Sequence, residues 1–105
     1  MTKKTIREAI IEAMIQEMSR DENVLLMGED VRGGNGSSVE DVEAWGGVLG
    51  VTKGLWEKFG SDRVIDTPIT VSAILGMAAG SALTGSRPIA ELMFADFFGV
   101  CFDAI

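Results

Sequence analysis

Residues 63–80 read RVIDTPITVSAILGMAAG, and the architecture follows from them. The β-branched pair Val64-Ile65 runs into Asp66. Thr67-Pro68 then halts the run, because proline has no N–H for a ladder and holds the residue before it extended. Thr70 can cap a new helix, and the residues after it are small and apolar. Strand, sharp turn and helix make half of a βαβ unit. In an open parallel sheet, ligands sit where such strands end and helices begin.

Working outward, residues 5–20 form a helix. Thr5 and Glu8 make a Thr-x-x-Glu capping box, and Ile6, Ala9, Ile10, Ala13, Met14 and Met18 recur at helical spacing. Residues 24–27, Val-Leu-Leu-Met, are a continuous apolar run, as befits a strand covered on both faces. The run ends in Gly28-Glu29-Asp30. Those adjacent carboxylates either solvate the loop and cap a turn or belong to a site. A glycine-rich loop spans residues 28–50, with Trp45 expected to anchor its far end. It lacks the order of a dinucleotide fingerprint.

Residues 52–59 read as a short helix with Leu55, Trp56 and Phe59 on one face and Gly60 as its stop. Residues 71–84 are the central buried helix, with Gly76, Ala79, Gly80 and Ala82 keeping one side thin for close approach. Gly85 ends it. Arg87-Pro88 opens a third strand reaching Phe94, and Asp96 is expected to cap a last helix from Phe97 to Ile105. Three parallel strands are therefore predicted, at residues 24–27, 63–66 and 88–94. The fold class is α/β, an open and mostly parallel sheet with helices on both faces.

The 105 residues allow one domain, and 47% hydrophobic with 24% charged residues marks a folded chain. A net charge of −7 with 9 basic residues argues against nucleic acid. The most apolar tract, residues 89–105, is interrupted by Glu91, Asp96 and Asp103 and is too short to span a bilayer. No apolar leader is visible, and the single Cys101 suits a reducing compartment, so a cytoplasmic chain is expected. The last helical pattern stops in mid-course, which suggests a piece of a longer protein. Read from residues alone, no catalytic set is complete. There is no histidine, no metal-ligand spacing and no nucleophile elbow. The candidates are Glu29, Asp30 and the turn at residues 69–72.

Asp66-Thr67-Pro68-Ile69 followed by Gly76 and a small-residue helix resembles the β subunits of thiamine-diphosphate-dependent 2-oxo acid dehydrogenases. Gly28-Glu29-Asp30, Val51-Thr52-Lys53-Gly54-Leu55, Phe59-Gly60, Arg87-Pro88-Ile89 and Met93-Phe94 follow in the family's order. Ala44-Trp45-Gly46-Gly47-Val48-Leu49-Gly50 and Phe98-Gly99-Val100-Cys101-Phe102-Asp103 look most like the acetoin dehydrogenase branch. The pyruvate and branched-chain branches are its neighbours.

The resemblance implies that residues 1–105 are the N-terminal part of a transketolase-like pyrimidine-binding domain, incomplete as it stands. It implies thiamine diphosphate shared with an α subunit in a heterotetramer, with the α subunit holding the diphosphate and Mg²⁺. It further implies a lipoyl acyltransferase that receives the product. Carried over by position, Ile69 packs at the cofactor, Met93 and Phe97 line the aminopyrimidine pocket, and Glu29 belongs to an acidic passage between active sites. The family continues Asp-Thr-Pro-Ile-Ser-Glu, and that Glu bonds the ring nitrogen N1′. Here the last two positions are Thr70 and Val71. Valine can neither give nor take a proton, and the pattern ends early, so the 105-residue chain alone is expected to be inactive. The competing readings are a non-catalytic remnant or assembly module of the same fold, and an unrelated small α/β domain.

Overall fold

The computed structural model describes residues 2–32 and 46–105. The helix α1, Ile6–Arg20, starts on the expected capping box: the Glu8 N–H donates to the Thr5 hydroxyl and the Thr5 N–H to the Glu8 carboxylate. Its apolar stripe is buried only at its C-terminal end, by Met14 and Met18, while Ile6 and Ile10 are exposed.

Three strands follow, β1 (Val24–Glu29), β2 (Val64–Thr67) and β3 (Arg87–Ala90). All pairings are parallel and β1 is central, in the order β2-β1-β3. The chain thus leaves β1 for one neighbour and returns past it to the other. That reversal opens a crevice beyond the carboxyl ends of β1 and β3. Alternation sorts the side chains of β1. Val24 and Leu26 join Met14, Met18, Leu55 and Val64 on the face covered by α1 and α2 (Leu55–Phe59). Met27 joins Ile74 and Ala78 on the face covered by α3 (Val71–Leu83). Helices therefore lie on both faces, as the continuous apolar runs required.

Four expectations are corrected. The third strand stops at Ala90, four residues before Phe94. After the Glu91 N–H donates to Met27 O at 2.8 Å, the chain turns away, and Glu91 Cβ occupies the space a side chain at Gly28 would need. The second helix begins at Leu55 instead of Thr52, because Gly54 takes a left-handed φ of 86° and breaks the run. The last helix is broken. A three-ten turn over Ala95–Phe97, a four-residue α4 (Phe98–Cys101) and a second three-ten turn over Phe102–Ala104 replace it. Asp96 lies inside the first turn and caps nothing, and Gly99 weakens the helical run. Finally, α3 is buried along only one stripe. A Cβ at Gly76 or Gly80 would meet nothing within 4 Å, so among the described residues nothing approaches the thin side.

Thr70 occupies the N-cap of α3, but its hydroxyl donates back to Pro68 O at 3.2 Å and does not cap. Gly60 stops α2 and Gly85 follows α3 as expected, with φ of 77° and 105°. Trp45 and most of the glycine-rich loop lie outside the described residues.

Candidate functional site

The crevice at the strand ends holds a cavity of about 640 Å³. Glu29, the last residue of β1, forms part of its wall. The β2–α3 turn and the first turn of α3 contribute Ile69, Thr70, Val71, Ser72 and Ala73. Met93 and Phe97, beyond β3, and Val100 on α4 close the opposite side. Each position has a local cause. Pro68 ends β2, so Ile69 leaves the sheet and stands 78% exposed at the cavity. Ser72 on α3 donates its hydroxyl to Val100 O at 2.7 Å, which ties α4 to the helix start. Phe97 is fixed edge-on against Phe94, the ring centroids 5.7 Å apart.

Among the described residues the wall is apolar with a single ionisable group, Glu29. That side chain is only 8% exposed, and its Oε1 has no hydrogen-bond partner among the described residues. Around it lie further buried oxygens without partners: Thr67 Oγ1, whose residue pairs with Glu29 across the sheet, Thr52 Oγ1 and Glu91 Oε2. Gly47 joins two of these groups. A Cβ there would lie 3.6 Å from Glu91 Oε1 and 3.7 Å from Thr52 Oγ1. Burial, and then the negative charge of Glu29, raise the Glu91 carboxyl above the usual carboxylate range. Buried polar atoms are normally paired, and none of these four has a partner among the described residues.

The structure brings Glu29, Ile69, Met93, Phe97 and Val71 together around one cavity. Asp30 does not join them. It adopts a left-handed φ of 55° and turns the chain so that its carbonyl accepts from the Gly47 N–H at 2.9 Å. Asp66 also lies outside the wall and accepts from the Arg32 N–H at 3.2 Å. Sequence reasoning missed Glu91, Thr52 and Thr67. The available signal was Glu91 itself, an acid immediately after a strand in a mostly apolar tract, noted above only as an interruption.

The cavity offers mostly apolar contacts, two hydroxyls and one carboxylate. Its wall has no cationic side chain to meet a diphosphate, and no cluster of three or more metal-ligating side chains occurs among the described residues.

Residues 2–105 match the family described as transketolase, pyrimidine binding domain. The chain is 59% identical over 103 residues to the β subunit of acetoin:2,6-dichlorophenolindophenol oxidoreductase from Cupriavidus necator, covering 98% of this chain and 30% of the relative. The Bacillus subtilis subunit of the same name is 58% identical over 102 residues, 96% of this chain and 30% of that one. The β subunit of the pyruvate dehydrogenase E1 component of Staphylococcus epidermidis is 45% identical over 105 residues, 100% of this chain and 29% of the relative. The chain thus spans about 30% of the length of the curated relatives it matches. With its central parallel strand, its cavity at the strand ends and this match over nearly every residue, the chain belongs to the family of transketolase pyrimidine-binding domains.

Proposed function

We propose that this chain is the N-terminal part of the β subunit of a thiamine-diphosphate-dependent acetoin dehydrogenase, or of a pyruvate or other 2-oxo acid dehydrogenase. In this reading it forms the aminopyrimidine side of the cofactor site. One observation carries it: the positions the family resemblance marks, Glu29, Ile69, Val71, Met93 and Phe97, all line one apolar cavity at the strand ends. The cavity fits the ring end of the cofactor and not its charged end. The partnerless Glu29 oxygen offers an acceptor to a ring edge, whereas nothing in the wall offers a cation to the diphosphate. An α subunit would supply the diphosphate and Mg²⁺ contacts in a cytoplasmic heterotetramer, and a lipoyl acyltransferase would take the product.

When bound, thiamine diphosphate supplies the nucleophilic carbon for chemistry beside a carbonyl, and the protein's part is to position it. Ile69, Met93 and Phe97 would sandwich the pyrimidine and keep water from it, and Val71 would pack against its edge. Ser72 holds α4 in place as the cavity's outer wall through its bond to Val100 O.

A second reading is favoured by Val71 alone. A helix start without the carboxylate that the resembling family places there fits an assembly module that binds an α-like partner without turnover. Calorimetric titration of thiamine diphosphate with Mg²⁺ into the intact subunit, assembled with its partner, separates the two. Saturable binding is expected. Assembly with the partner and no binding of the cofactor would establish the module instead.

A further inference from the structure

We propose that Ser72 is a positioning residue for the ring: its hydroxyl joins the two walls of the cavity and so sets how firmly they hold an aminopyrimidine between them. The inference rests on the reading that the cavity takes such a ring. It deepens that reading by naming the bond that fixes the spacing of the ring's apolar contacts.

The two walls are anchored unequally. The first, Ile69 to Ala73, runs into the body of α3, where Ile74 and Ala78 are buried against Met27 of the central strand. The second carries Met93, Phe97 and Val100 on the segment that follows β3. That segment leaves the sheet once the Glu91 N–H has donated to Met27 O. From Leu92 to Ile105 the only buried residue is Cys101. Its thiol donates to Phe97 O, and the Phe97 N–H donates to Phe94 O, so both bonds stay within the segment. Among the described residues, one hydrogen bond leaves it. The Ser72 hydroxyl donates to Val100 O at 2.7 Å.

A short segment pinned at one buried side chain can still swing about it, and a second point of attachment removes that freedom. Here the second point lies at the cavity itself, because Ser72 belongs to one wall and Val100 to the other. A serine near a helix start commonly turns its hydroxyl back onto the neighbouring backbone. Ser72 instead reaches 28 positions along the chain, and the start of α3 is left without a side-chain cap. The bond thus serves the cavity in place of the helix. Holding Phe97 and Val100 at a set distance from Ile69 and Val71 before a ring enters lowers the ordering cost of binding it, and the saving appears as affinity.

The test uses the intact subunit assembled with its α partner and two readouts. Calorimetric titration with thiamine diphosphate and Mg²⁺ should show Ser72→Ala binding about 2- to 10-fold more weakly than the wild type, the effect of one net hydrogen bond. Ser72→Thr keeps the hydroxyl and should restore the wild-type affinity. Ser72 is exposed, so neither replacement crowds the fold. Ser81→Ala is the control. It removes a hydroxyl of the same helix that donates to Ala78 O, away from the cavity, and should leave the affinity unchanged. The second readout needs no cofactor. Amide deuterium exchange over residues 92–105 should be faster in Ser72→Ala than in the wild type or Ser72→Thr, while exchange over residues 6–20 stays the same.

Equal affinity of Ser72→Ala and the wild type would overturn the role of Ser72 and leave the cofactor reading intact. So would a Ser72→Thr variant as weak as Ser72→Ala, a Ser81→Ala variant weakened to the same degree, or exchange over residues 92–105 that Ser72→Ala does not alter. Failure of the wild type to bind the cofactor would overturn the reading of the cavity, and the role of Ser72 with it.

Discussion

Gly28→Ala probes the contact that brings Glu91 beneath the end of β1. Gly28 is buried, and a Cβ there would lie 2.8 Å from Glu91 Cβ and 2.9 Å from Val31 Cγ1. Neither neighbour yields easily. Glu91 Cβ is tied to a backbone whose N–H is bonded to Met27 O, and Val31 is fully buried. Overpacking of this kind costs about 1–3 kcal/mol. Against it, replacing glycine lowers the entropy of the unfolded chain by about 0.4–1 kcal/mol in favour of the variant, since Gly28 does not use a left-handed φ. The net loss is therefore about 0–2.6 kcal/mol, centred on about 1.3 kcal/mol, which is roughly 5–10 °C in Tm for a domain of this size. Urea denaturation and thermal melts followed by circular dichroism measure it. The geometry also makes a sharper statement. Glu91→Gly removes the atom in closest contact, so the double variant should recover part of the loss. Glu91→Ala keeps that atom and should not rescue. A stabilising Gly28→Ala, or a double variant additive within about 0.5 kcal/mol, would refute the contact.

Other outcomes follow from the same structure. The Glu91 carboxyl, facing Glu29, binds its proton more tightly in the folded than in the unfolded chain, so stability falls as pH rises from the ordinary carboxylate value to the raised one and stays reduced above it. Glu91→Gln should therefore stabilise the protein at neutral pH and make no difference below the ordinary carboxylate range, as denaturation at the two pH values would show. Thr5→Ala removes the hydroxyl that caps α1 and should cost about 1 kcal/mol, measured as a lower urea midpoint at unchanged slope. The same bonds hold the Glu8 carboxyl below its ordinary value, so the stability they supply to the wild type is lost as pH falls through that lowered value, and the variant should show less of this loss. Leu83 is 90% exposed, and Phe98, Val100 and Phe102 are also open to solvent, an apolar surface that calls for a partner. Sedimentation of the 105-residue chain alone should show association, and a monodisperse 11.2 kDa species would contradict this.

What could be read from the residues divides along the range of the interactions. The capping box at Thr5 and Glu8, the stop at Gly60 and the break at Pro68 are settled within a few residues, so their positions were legible. The parallel sheet was legible too, because strands covered on both faces must be apolar without alternation, and residues 24–27 are. The ends of elements that depend on tertiary contact were not. Phe94 belongs to a mostly apolar tract that reads as strand, yet β3 leaves the sheet at Ala90, where Glu91 takes the space beside a glycine 63 positions earlier in the chain. Only the register Met27↔Ala90 places those two residues together, and register is not written in either segment alone.

The site divides in the same way. Ile69 and Val71 were found because a proline turn before a helix in a βαβ unit marks a ligand-binding edge by local pattern. Glu29 was found as an acid at a strand end, but its state could not be inferred, since the same pair Glu29-Asp30 reads equally as loop solvation. The fold separates the two: Asp30 turns outward into a left-handed conformation, while Glu29 stays in the ladder opposite Thr67 and carries its carboxyl inward. One residue of difference along a strand reverses the face a side chain occupies. That reversal is what leaves one of two adjacent carboxylates half-buried in a turn and the other buried at the cavity wall, its Oε1 without a partner among the described residues.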